Sequence, residues 1–332
     1  MSQKELAYIF RNIRNGELAE DLLPRFGLKK EIQLKGLILL LRDEGYNIDV
    51  ITDEDGKVHV FKKVVYRTKP KLKEKLEDLE LIEFGVISDT HMGATIEQLH
   101  LINDFYQKAY ERGITRILHC GDVVDGDYRQ CRPGHPYALF AEGFTEQYQN
   151  VVEYYPKIEG IETYFVTGSH DETHMNNGGA DMGIILSELR NDLHYLGHDS
   201  AIFMAGKRRN VPISIDHPGG GVAKAHSYKT QEALNKLDPG TKPKIYLQGH
   251  FHKSYYMMYR NVHAFLVPCI TGLSGFMAKN KLKNIMGGIF IYAYVNKKGE
   301  IQYLDFERII YPQSMEIKDA YKKRKKLEIK LC

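Results

Sequence analysis

Five short motifs rich in aspartate and histidine stand at the ends of predicted β-strands in this 332-residue sequence. The first is Asp89-Thr90-His91, which follows the apolar run Leu81–Ile87. Alternate side chains of an extended strand share one face, so Asp89 and His91 are expected to point to the same spot. A carboxylate oxygen beside an imidazole nitrogen suits a divalent transition metal. Taken alone, the pair is just as typical of a polar strand end.

The other four motifs follow later strands and carry the same residue types. They are Gly121-Asp122-Val123-Val124-Asp125, Gly168-Ser169-His170-Asp171, Asp216-His217 and Gly249-His250-Phe251-His252. Alternating strands and helices predict an α/β layout, in which ligand sites lie at the carboxyl ends of the strands. So many carboxylates and imidazoles converging on one place would repel each other or lose hydration without cations. The pattern therefore predicts two divalent metal ions.

A site of this kind suits the hydrolysis of phosphate esters. Two cations about 3.5–4 Å apart can clamp phosphate oxygens, lower the pKa of a bridging water and balance charge during an in-line displacement. Neutral imidazole ligands leave the site positive for an anionic substrate. The leaving alkoxide needs a proton, which a nearby imidazolium can supply near neutral pH.

The order and composition of the five motifs resemble the calcineurin-like metallophosphoesterase superfamily over about Leu81–Glu307. The resemblance implies an α/β (α+β) fold, a two-sheet sandwich flanked by helices with a dinuclear metal site at its edge. It implies two sets of metal ligands that share a bridging aspartate. The sets are Asp89, His91, Asp122 and His252 for the first metal, and Asp122, Ser169, His217 and His250 for the second.

The same resemblance implies that His170 is a general acid or phosphate contact and that Asp171 orients it. Mn²⁺ is the expected metal, with Mg²⁺, Fe²⁺, Zn²⁺ or Ni²⁺ as alternatives. Ser169 departs from the family pattern, which has asparagine there. A hydroxyl is shorter and a poorer neutral ligand, so the second metal is expected to be labile. Asp125, Asp171 and His174 are nearby groups that could complete its coordination.

The details of the motifs favour the exonuclease branch over the Ser/Thr phosphatase branch. The phosphatase branch carries the motifs G-D-x-x-D-R-G and G-N-H-E. This chain has Gly126-Asp127 in place of the R-G of the first motif and Asp171 in place of the glutamate of the second. Asp89-Thr90-His91-Met92-Gly93 and the glycine-rich run after His217 resemble nucleases of DNA repair and small phage or bacterial enzymes. The resemblance implies a nucleic-acid phosphodiesterase, with DNA as the expected substrate. A nucleotide or small-molecule phosphoesterase and a non-catalytic binding protein with a degenerate metal site stay open.

Two basic segments are candidates for contact with nucleic acid. Arg129 and Arg132, with the neighbouring Tyr128 and His135, could meet a strand by charge and stacking, although a solvated loop is the alternative. Lys322–Lys326 could hold phosphate or could be a solvated end.

The first part of the chain has the element order of a winged helix. Helices are predicted over 3–14, 17–24 and about 31–44, and strands over Asn47–Thr52 and Lys57–Lys63, joined by an Asp-Gly hairpin signal. The resemblance to winged-helix modules implies nucleic-acid binding through Lys29, Lys30 and Lys35. Protein interaction or dimerisation is the alternative, because acidic residues nearly balance the basic ones.

These patterns predict four segments in the chain. They are a winged-helix-like domain over 1–67, a linker over 68–80, a metallophosphoesterase domain over 81–310 and a basic tail over 311–332. The later strands of the catalytic domain, from Ser254 to Glu307, are expected to be antiparallel and to complete a second sheet.

The composition argues against a strongly basic nucleic-acid-binding protein, a disulfide-linked secreted protein and a membrane-spanning protein. A net charge of +3 gives no global basic field. The four cysteines are far apart and include no C-x-x-C pair, so they are expected to be reduced thiols. No apolar run is long enough to span a membrane, and the N-terminus lacks a signal-peptide core. We expect a cytoplasmic protein whose partner is nucleic acid, without membrane association; a homodimer stays open.

Overall fold

The computed structural model describes residues 2–14, 16–44, 46, 48–62, 78–221, 223–238, 240–312 and 328–329. The chain forms two compact units, Met1–Lys73 and Glu74–Cys332, called here the N-terminal and C-terminal units. Most of the predicted linker and the basic run Lys322–Lys326 lie outside the described residues.

The described residues of the N-terminal unit form three helices and three short strands. In chain order these are α1 (Gln3–Asn12), β1 (Glu17–Leu18), α2 (Ala19–Arg25), α3 (Glu31–Asp43), β2 (Ile48–Thr52) and β3 (Val58–Lys62). The strands form an antiparallel sheet in the order β1-β3-β2. Strand β1 occupies the start of the second predicted helix, because its two residues pair with the middle of β3. Leu22, Leu41 and Val60 are fully buried in the core of this unit.

The C-terminal unit contains the remaining helices and strands. The helices are α4 (Leu99–Glu111), α5 (Gly143–Tyr154), α6 (Glu172–Asn176), α7 (Met182–Leu189), α8 (Tyr228–Lys236) and α9 (Gly275–Lys279). The strands are β4 (Glu80–Ile87), β5 (Arg116–Cys120), β6 (Lys157–Ile158), β7 (Glu162–Thr167), β8 (Leu193–His198), β9 (Ser200–Ala205), β10 (Val211–Asp216), β11 (Ile245–Gln248), β12 (Tyr255–Tyr259), β13 (Val262–Leu266), β14 (Met286–Val295), β15 (Ile301–Tyr311) and β16 (Glu328–Ile329).

Two large sheets pack face to face in this unit. One has the order β15-β14-β4-β5-β7-β8 and the other β12-β13-β11-β10-β9. Neighbouring residues of β5 show why the sheet is covered on both sides. Leu118 packs between the two sheets with Ile213 and Leu247, whereas Ile117 packs on the opposite face with Phe105 of α4 and Leu186 of α7. The mixed α/β unit is therefore a sheet sandwich flanked by helices, as the sequence predicted.

The placement of the last two strands differs from the prediction. Only β12 and β13 join the second sheet, while β14 pairs antiparallel with β4 of the first sheet and with β15. The physical reason is burial of β14 on both faces. Phe290 stacks on Phe105 of α4 with ring centroids 4.5 Å apart, and Ile289 and Ile291 face the interior between the sheets.

The parallel strands bring their carboxyl ends to one edge of the sandwich. β4, β5 and β7 are parallel in the first sheet, and β10 and β11 are parallel in the second. Each of these five strands is followed by one of the five aspartate- and histidine-containing motifs. Among the described helices, none is long and apolar enough to cross a membrane.

Candidate active site

The loops after β4 and β5 are joined by main-chain hydrogen bonds. Asp89 N–H donates to the Gly121 carbonyl at 3.0 Å, and Thr90 N–H donates to the Asp122 carbonyl at 3.0 Å. The Thr90 hydroxyl donates to the Val123 carbonyl at 2.9 Å and lies 3.1 Å from His119 Nε2. Because the hydroxyl hydrogen is used by Val123, the buried His119 ring is the donor in the second bond. The sequence motifs indicate only a structural role for His119 and none for the Thr90 hydroxyl.

Five of the predicted metal-binding residues have a left-handed backbone. The φ angles are 51° at Asp89, 44° at His91, 55° at Asp122, 73° at His250 and 53° at His252. Such angles are uncommon for residues other than glycine, and each strained residue costs about 1–3 kcal/mol. The geometric premise of the prediction was therefore wrong: Asp89 and His91 come together through a turn after β4 ends, not through the alternation of an extended strand.

Three glycines of the motifs leave room for the His217 ring and its neighbours. A Cβ atom on Gly121 would lie 2.5 Å from His217 Nδ1, and one on Gly168 would lie 2.5 Å from both Asp122 Oδ1 and His217 Cδ2. A Cβ atom on Gly249 would lie 2.3 Å from Ser88 Oγ and 3.0 Å from His217 Nδ1. Glycine thus accompanies these motifs because a side chain there would fill the space of the site itself.

The side chains of the motifs meet in three overlapping groups whose ligand atoms lie within 4.8 Å of one another. The groups are Asp89, His91 and His252; His91, Asp122 and His170; and Asp122, His217 and His250. The first and third groups each combine residues from both sheets. The first group contains three of the four residues predicted for one metal, and the third contains three of the four predicted for the other, without Ser169. Asp122 lies within the same distance of His91. The ring centroids of His91 and His252 are 5.6 Å apart, and those of His217 and His250 are 5.3 Å apart.

The chemistry of these groups fits divalent cations. Asp89 is completely buried and Asp122 is 1% exposed, so two carboxylates are held away from water beside imidazoles. His91 Nε2 and His217 Nε2 form no hydrogen bond within the part of the chain that the structure describes. His217 Nε2 nevertheless lies 3.0 Å from Asp122 Oδ2. These two atoms are close but are not aligned as hydrogen-bond donor and acceptor. Two ligands of one metal ion have such an arrangement.

The electrostatics of His217 and Asp122 lead to the same conclusion. Burial alone would lower the pKa of His217, but the facing Asp122 carboxylate outweighs it and raises that pKa to about 10. Burial alone would raise the pKa of Asp122, but the charges of His217 and His170 hold it well below its ordinary value. The buried carboxylates therefore require positive charge beside them, which a proton on His217 or a cation can provide.

His170 lies against the first group but has its own hydrogen bonds. Its main-chain N–H donates to Asp122 Oδ1 at 2.8 Å, and its Nδ1 lies 2.7 Å from the Asp125 carbonyl oxygen. A carbonyl can only accept, so Nδ1 carries the hydrogen of the neutral ring. Burial lowers the pKa of His170 to about 4. The resting side chain is consequently a neutral imidazole at neutral pH. This differs from the imidazolium that the sequence predicts as the proton donor.

Asp171 makes main-chain contacts that differ from its expected role. Its carboxylate accepts hydrogen bonds from Val123 N–H at 3.1 Å, Val124 N–H at 2.8 Å and Gly168 N–H at 2.9 Å. These bonds join the loop after β5 to the loop after β7. The Asp125 carbonyl, rather than the Asp171 carboxylate, holds the His170 ring. Asp171 therefore positions the loops and does not orient His170 directly.

The three side chains suggested as substitutes for the missing asparagine lie elsewhere. Asp125 Oδ1 is 3.0 Å from His91 Nδ1, and Asp125 Oδ2 is 3.0 Å from His135 Nε2. The Asp125 carboxylate thus lies between the His91 and His135 rings. His174 Nε2 lies 3.0 Å from Gln147 Oε1, and Asp171 is occupied as described. Ser169 is half-buried, and its carbonyl accepts a hydrogen bond from the Tyr128 hydroxyl at 3.2 Å.

An aromatic and cationic stack stands beside the His170 ring. Tyr128 meets His170 with ring centroids 4.7 Å apart. The Arg132 guanidinium lies 4.4 Å from the centroid of Tyr128 and 4.7 Å from that of Phe276 in α9. Phe276 is 52% exposed and was missed at the sequence level, because nothing in the sequence near α9 indicates that it returns to the loop after β5. Arg129 is bound to Asp127, with Nε 2.7 Å from Oδ2.

The other predicted nucleic-acid contacts belong to the N-terminal unit. Lys29 and Lys30 directly precede α3, and Lys35 is an exposed residue of α3. Lys35 and Arg42 lie at the rim of a groove of about 410 Å³ whose lining also includes Ile38, Leu39 and Val58. This groove is mainly apolar, so the predicted recognition helix combines lysines with exposed aliphatic side chains.

One family model and several solved structures are similar to this chain. A family model described as "Calcineurin-like phosphoesterase superfamily domain" matches residues 82–272. No curated protein matches the chain. A novel archaeal phosphodiesterase of known structure is 12% identical, covers 69% of this chain and 100% of its own, and has a TM-score of 0.39. Vps29 from Entamoeba histolytica complexed with Zn²⁺ is 15% identical, covers 70% and 100%, and has a TM-score of 0.33. A 5'-nucleotidase precursor from Thermus thermophilus is 12% identical, covers 73% and 57%, and has a TM-score of 0.37.

Proposed function

Because the chain belongs to the calcineurin-like phosphoesterase superfamily, whose members use divalent metals, we propose that it is a two-metal phosphodiesterase that cleaves nucleic acid, with DNA as the first candidate. The observation that carries the choice of substrate is the stack of Tyr128, Arg132 and Phe276 beside His170. Aromatic rings and arginine planes bind the faces of unstacked bases. A base bound there would lie next to the side chains that act on phosphate.

The metal ligands of this proposal are two sets of side chains that share Asp122. Asp89, His91, Asp122 and His252 would hold one ion, and Asp122, Ser169, His217 and His250 would hold the other, Mn²⁺ being the proposed metal for both. Two such ions supply charge stabilisation for the phosphate and a water of lowered pKa. Asp125 places a carboxylate charge beside the His91 ring, with Oδ1 3.0 Å from His91 Nδ1. The shorter hydroxyl of Ser169 makes the second ion the weaker one in this proposal.

His170 is the proton-transfer group in this proposal. The hydrogen on Nδ1 is held by the Asp125 carbonyl, so Nε2 of the neutral ring is free to accept a proton. With a pKa of about 4, lowered by burial, the ring has to take up a proton before it can donate one to a leaving oxygen. His170 thus accepts a proton from the attacking water first and releases it to the leaving alkoxide afterwards.

The charge around Phe276 also supports a polyanionic substrate. The sequence from Thr271 to Gly288 contains three lysines, Lys279, Lys281 and Lys283, and no acidic residue. All three lysines are exposed. Lys253, which follows His252, donates a hydrogen bond to the Lys283 carbonyl. A basic segment that carries an exposed aromatic ring is a common way to bind a single strand without sequence preference.

We also propose that the N-terminal unit is a winged helix that binds a partner. The support is its element order and the pairing of β1 beside the β2–β3 hairpin. The exposed side of α3 carries Ile32, Leu39 and Leu40, which are 73%, 61% and 48% exposed. Recognition helices that enter the major groove present polar and basic side chains there. Nucleic-acid contact is therefore assigned to Arg132 and the lysines near Phe276, ahead of Lys29, Lys30 and Lys35.

Removing the stack is expected to weaken turnover of nucleic acid selectively. Base stacking contributes about 1–3 kcal/mol per base, so Phe276→Ala and Arg132→Met should each lower kcat/KM on oligonucleotides by roughly five- to 150-fold. The measurement is Mn²⁺-dependent turnover of single- and double-stranded DNA, RNA, cyclic nucleotides and a small phosphodiester. Tyr137→Ala is the matched control, because Tyr137 is an aromatic residue of the 3-10 helix His135–Ala138, which follows the loop that carries Arg132, and is 91% exposed.

Each outcome of this panel has a definite meaning. Cleavage of polymers that depends on Phe276 and Arg132 supports the proposed nuclease. Cleavage of mononucleotides or small esters without cleavage of polymers would replace it by a nucleotide phosphoesterase. Metal binding without turnover of any substrate would replace it by a binding protein.

Loss of the His170 side chain is expected to reduce catalysis and to spare metal binding. A positioned proton-transfer group contributes roughly 10²–10⁴-fold, so His170→Ala should lower kcat by about that factor while two metals still bind. The readouts are kcat and metal content of the same preparation. His194→Ala, which removes a partly exposed histidine of β8 paired with Glu162, is the control. Unchanged kcat in His170→Ala would contradict the assigned role.

A further inference from the structure

Helix α3 exposes a stripe of residues that faces away from the core of the N-terminal unit. Its buried side carries Leu34, Leu37, Ile38 and Leu41, spaced three and four residues apart. On the opposite side, Ile32 is 73% exposed, Leu39 is 61% exposed and Leu40 is 48% exposed. Gly36 lies between them, and a Cβ atom built there would have no neighbour within 4 Å. The middle of the stripe is therefore small and its flanks are aliphatic.

The charges at the two ends of this stripe are opposed. Lys29 precedes α3 and is exposed, and Asp43 is the exposed last residue of the helix. Both charges are unfavourable for the dipole of their own helix, because a helix prefers acidic groups near its start and basic groups near its end. A neighbour that presents the reverse order of charge would attract both ends at once.

The spacing of the stripe is symmetric about Gly36. Ile32 and Leu40 are each four residues from the glycine within the helix. Lys29 and Asp43 are each seven residues from it in the sequence, Lys29 standing just before the extended N-cap residue Lys30. A second α3 helix, packed antiparallel with the two-fold axis at Gly36, would bring Ile32 against Leu40 and Lys29 against Asp43. The same contacts would occur twice, as a two-fold interface requires. The absence of a side chain at Gly36 lets the two helices approach closely.

We propose that this stripe, defined by Lys29, Ile32, Gly36, Leu39, Leu40 and Asp43, is the homodimer interface of the protein, formed by antiparallel pairing of α3 with α3 of a second copy. The proposal is independent of the catalytic site. It gives the N-terminal unit a partner whose charge pattern is complementary because it is the same sequence in the opposite direction. It also explains why α3 combines exposed aliphatic residues with oppositely charged ends.

Charge reversal tests whether Lys29 of one copy faces Asp43 of the other. In nuclease-treated full-length protein, Lys29→Glu places an acidic residue opposite Asp43, and Asp43→Lys places a lysine opposite Lys29. Each repulsion occurs twice in the dimer, so each variant should raise the dissociation constant by roughly tenfold or more. The double variant restores opposite charges across the interface and should return to the wild-type dissociation constant. Sedimentation equilibrium over a range of concentrations measures all four proteins.

A second pair of variants separates packing from folding. Gly36→Arg improves helix propensity but fills the crossing point, so the variant should be a folded monomer with normal circular dichroism. Ile51→Glu is the control, since Ile51 is an aliphatic residue of β2, outside the α3 stripe, and is 53% exposed; it should stay dimeric. A monomeric wild type would overturn the proposal. So would a dimer that tolerates Gly36→Arg, or a double charge variant no tighter than the single ones.

Discussion

Gly168→Ala is expected to weaken the metal site strongly without a change in any charged or polar side chain. The added Cβ atom would lie 2.5 Å from Asp122 Oδ1 and 2.5 Å from His217 Cδ2. Both contacts are far below van der Waals distance, so Asp122 and His217 have to move apart. A site displaced by about 1 Å can lose roughly 100-fold in rate, and loss of supporting contacts typically costs about 10–100-fold in metal affinity. We expect both losses in Gly168→Ala.

The control for this variant is another glycine near the same site. Gly219, two residues after His217, has no atom within 4 Å of its ideal Cβ position and no left-handed φ. Gly219→Ala should therefore bind metal and turn over substrate like the wild type. Metal titration and a thermal melt of both variants distinguish loss of the site from loss of the fold. Full metal affinity in Gly168→Ala would refute the steric account.

Asparagine in place of Asp122 is expected to remove metal from both groups at once. Asp122 is adjacent to His91 and His170 on one side and to His217 and His250 on the other. The substitution keeps the shape but removes the shared negative charge. Charge stabilisation by the bound metals contributes several kcal/mol to catalysis, so turnover should fall on the order of 10³-fold or more.

The fold of this variant should persist. The amide oxygen can still accept the hydrogen bond from His170 N–H, which is 2.8 Å long in the wild type. The amide nitrogen would then face the unprotonated Nε2 of a neutral His217, which lies 3.0 Å from the replaced oxygen. Asp127→Asn is the matched control, because Asp127 belongs to the same loop but pairs with Arg129. Metal stoichiometry by elemental analysis decides; two bound ions in Asp122→Asn would contradict a shared ligand.

The sequence predicted the identity of the clustered residues better than their geometry. Asp89, Asp122 and His217 could be recognised because buried parallel strands end together, and polar residues after them have to meet at one edge. The way they meet could not be predicted. Asp89 and His91 reach the site through left-handed turns, which depend on main-chain bonds to the loop after β5, a segment distant in the sequence.

Contacts between distant segments explain the other differences. Asp171 was expected to orient His170, but its carboxylate binds three main-chain N–H groups of two loops, a pattern that no local motif specifies. The membership of β14 in the first sheet depends on its pairing with β4, about two hundred residues earlier. Phe276 and Arg132 are likewise distant in the sequence and come into contact only in the folded chain. Local patterns report which residues are polar or buried, whereas these contacts are set by the assembled sandwich.

The candidate metal groups draw their residues from both sheets of the sandwich. Asp89 and Asp122 follow strands of the first sheet, and His217, His250 and His252 follow strands of the second. An ion held by both would act as a cross-link between the sheets, and it would have no comparable site in the unfolded chain. Part of its binding free energy would then be added to the free energy of unfolding, which rises with the logarithm of free metal concentration. Metal supply would in this way set the thermal stability of the sandwich as well as its chemistry.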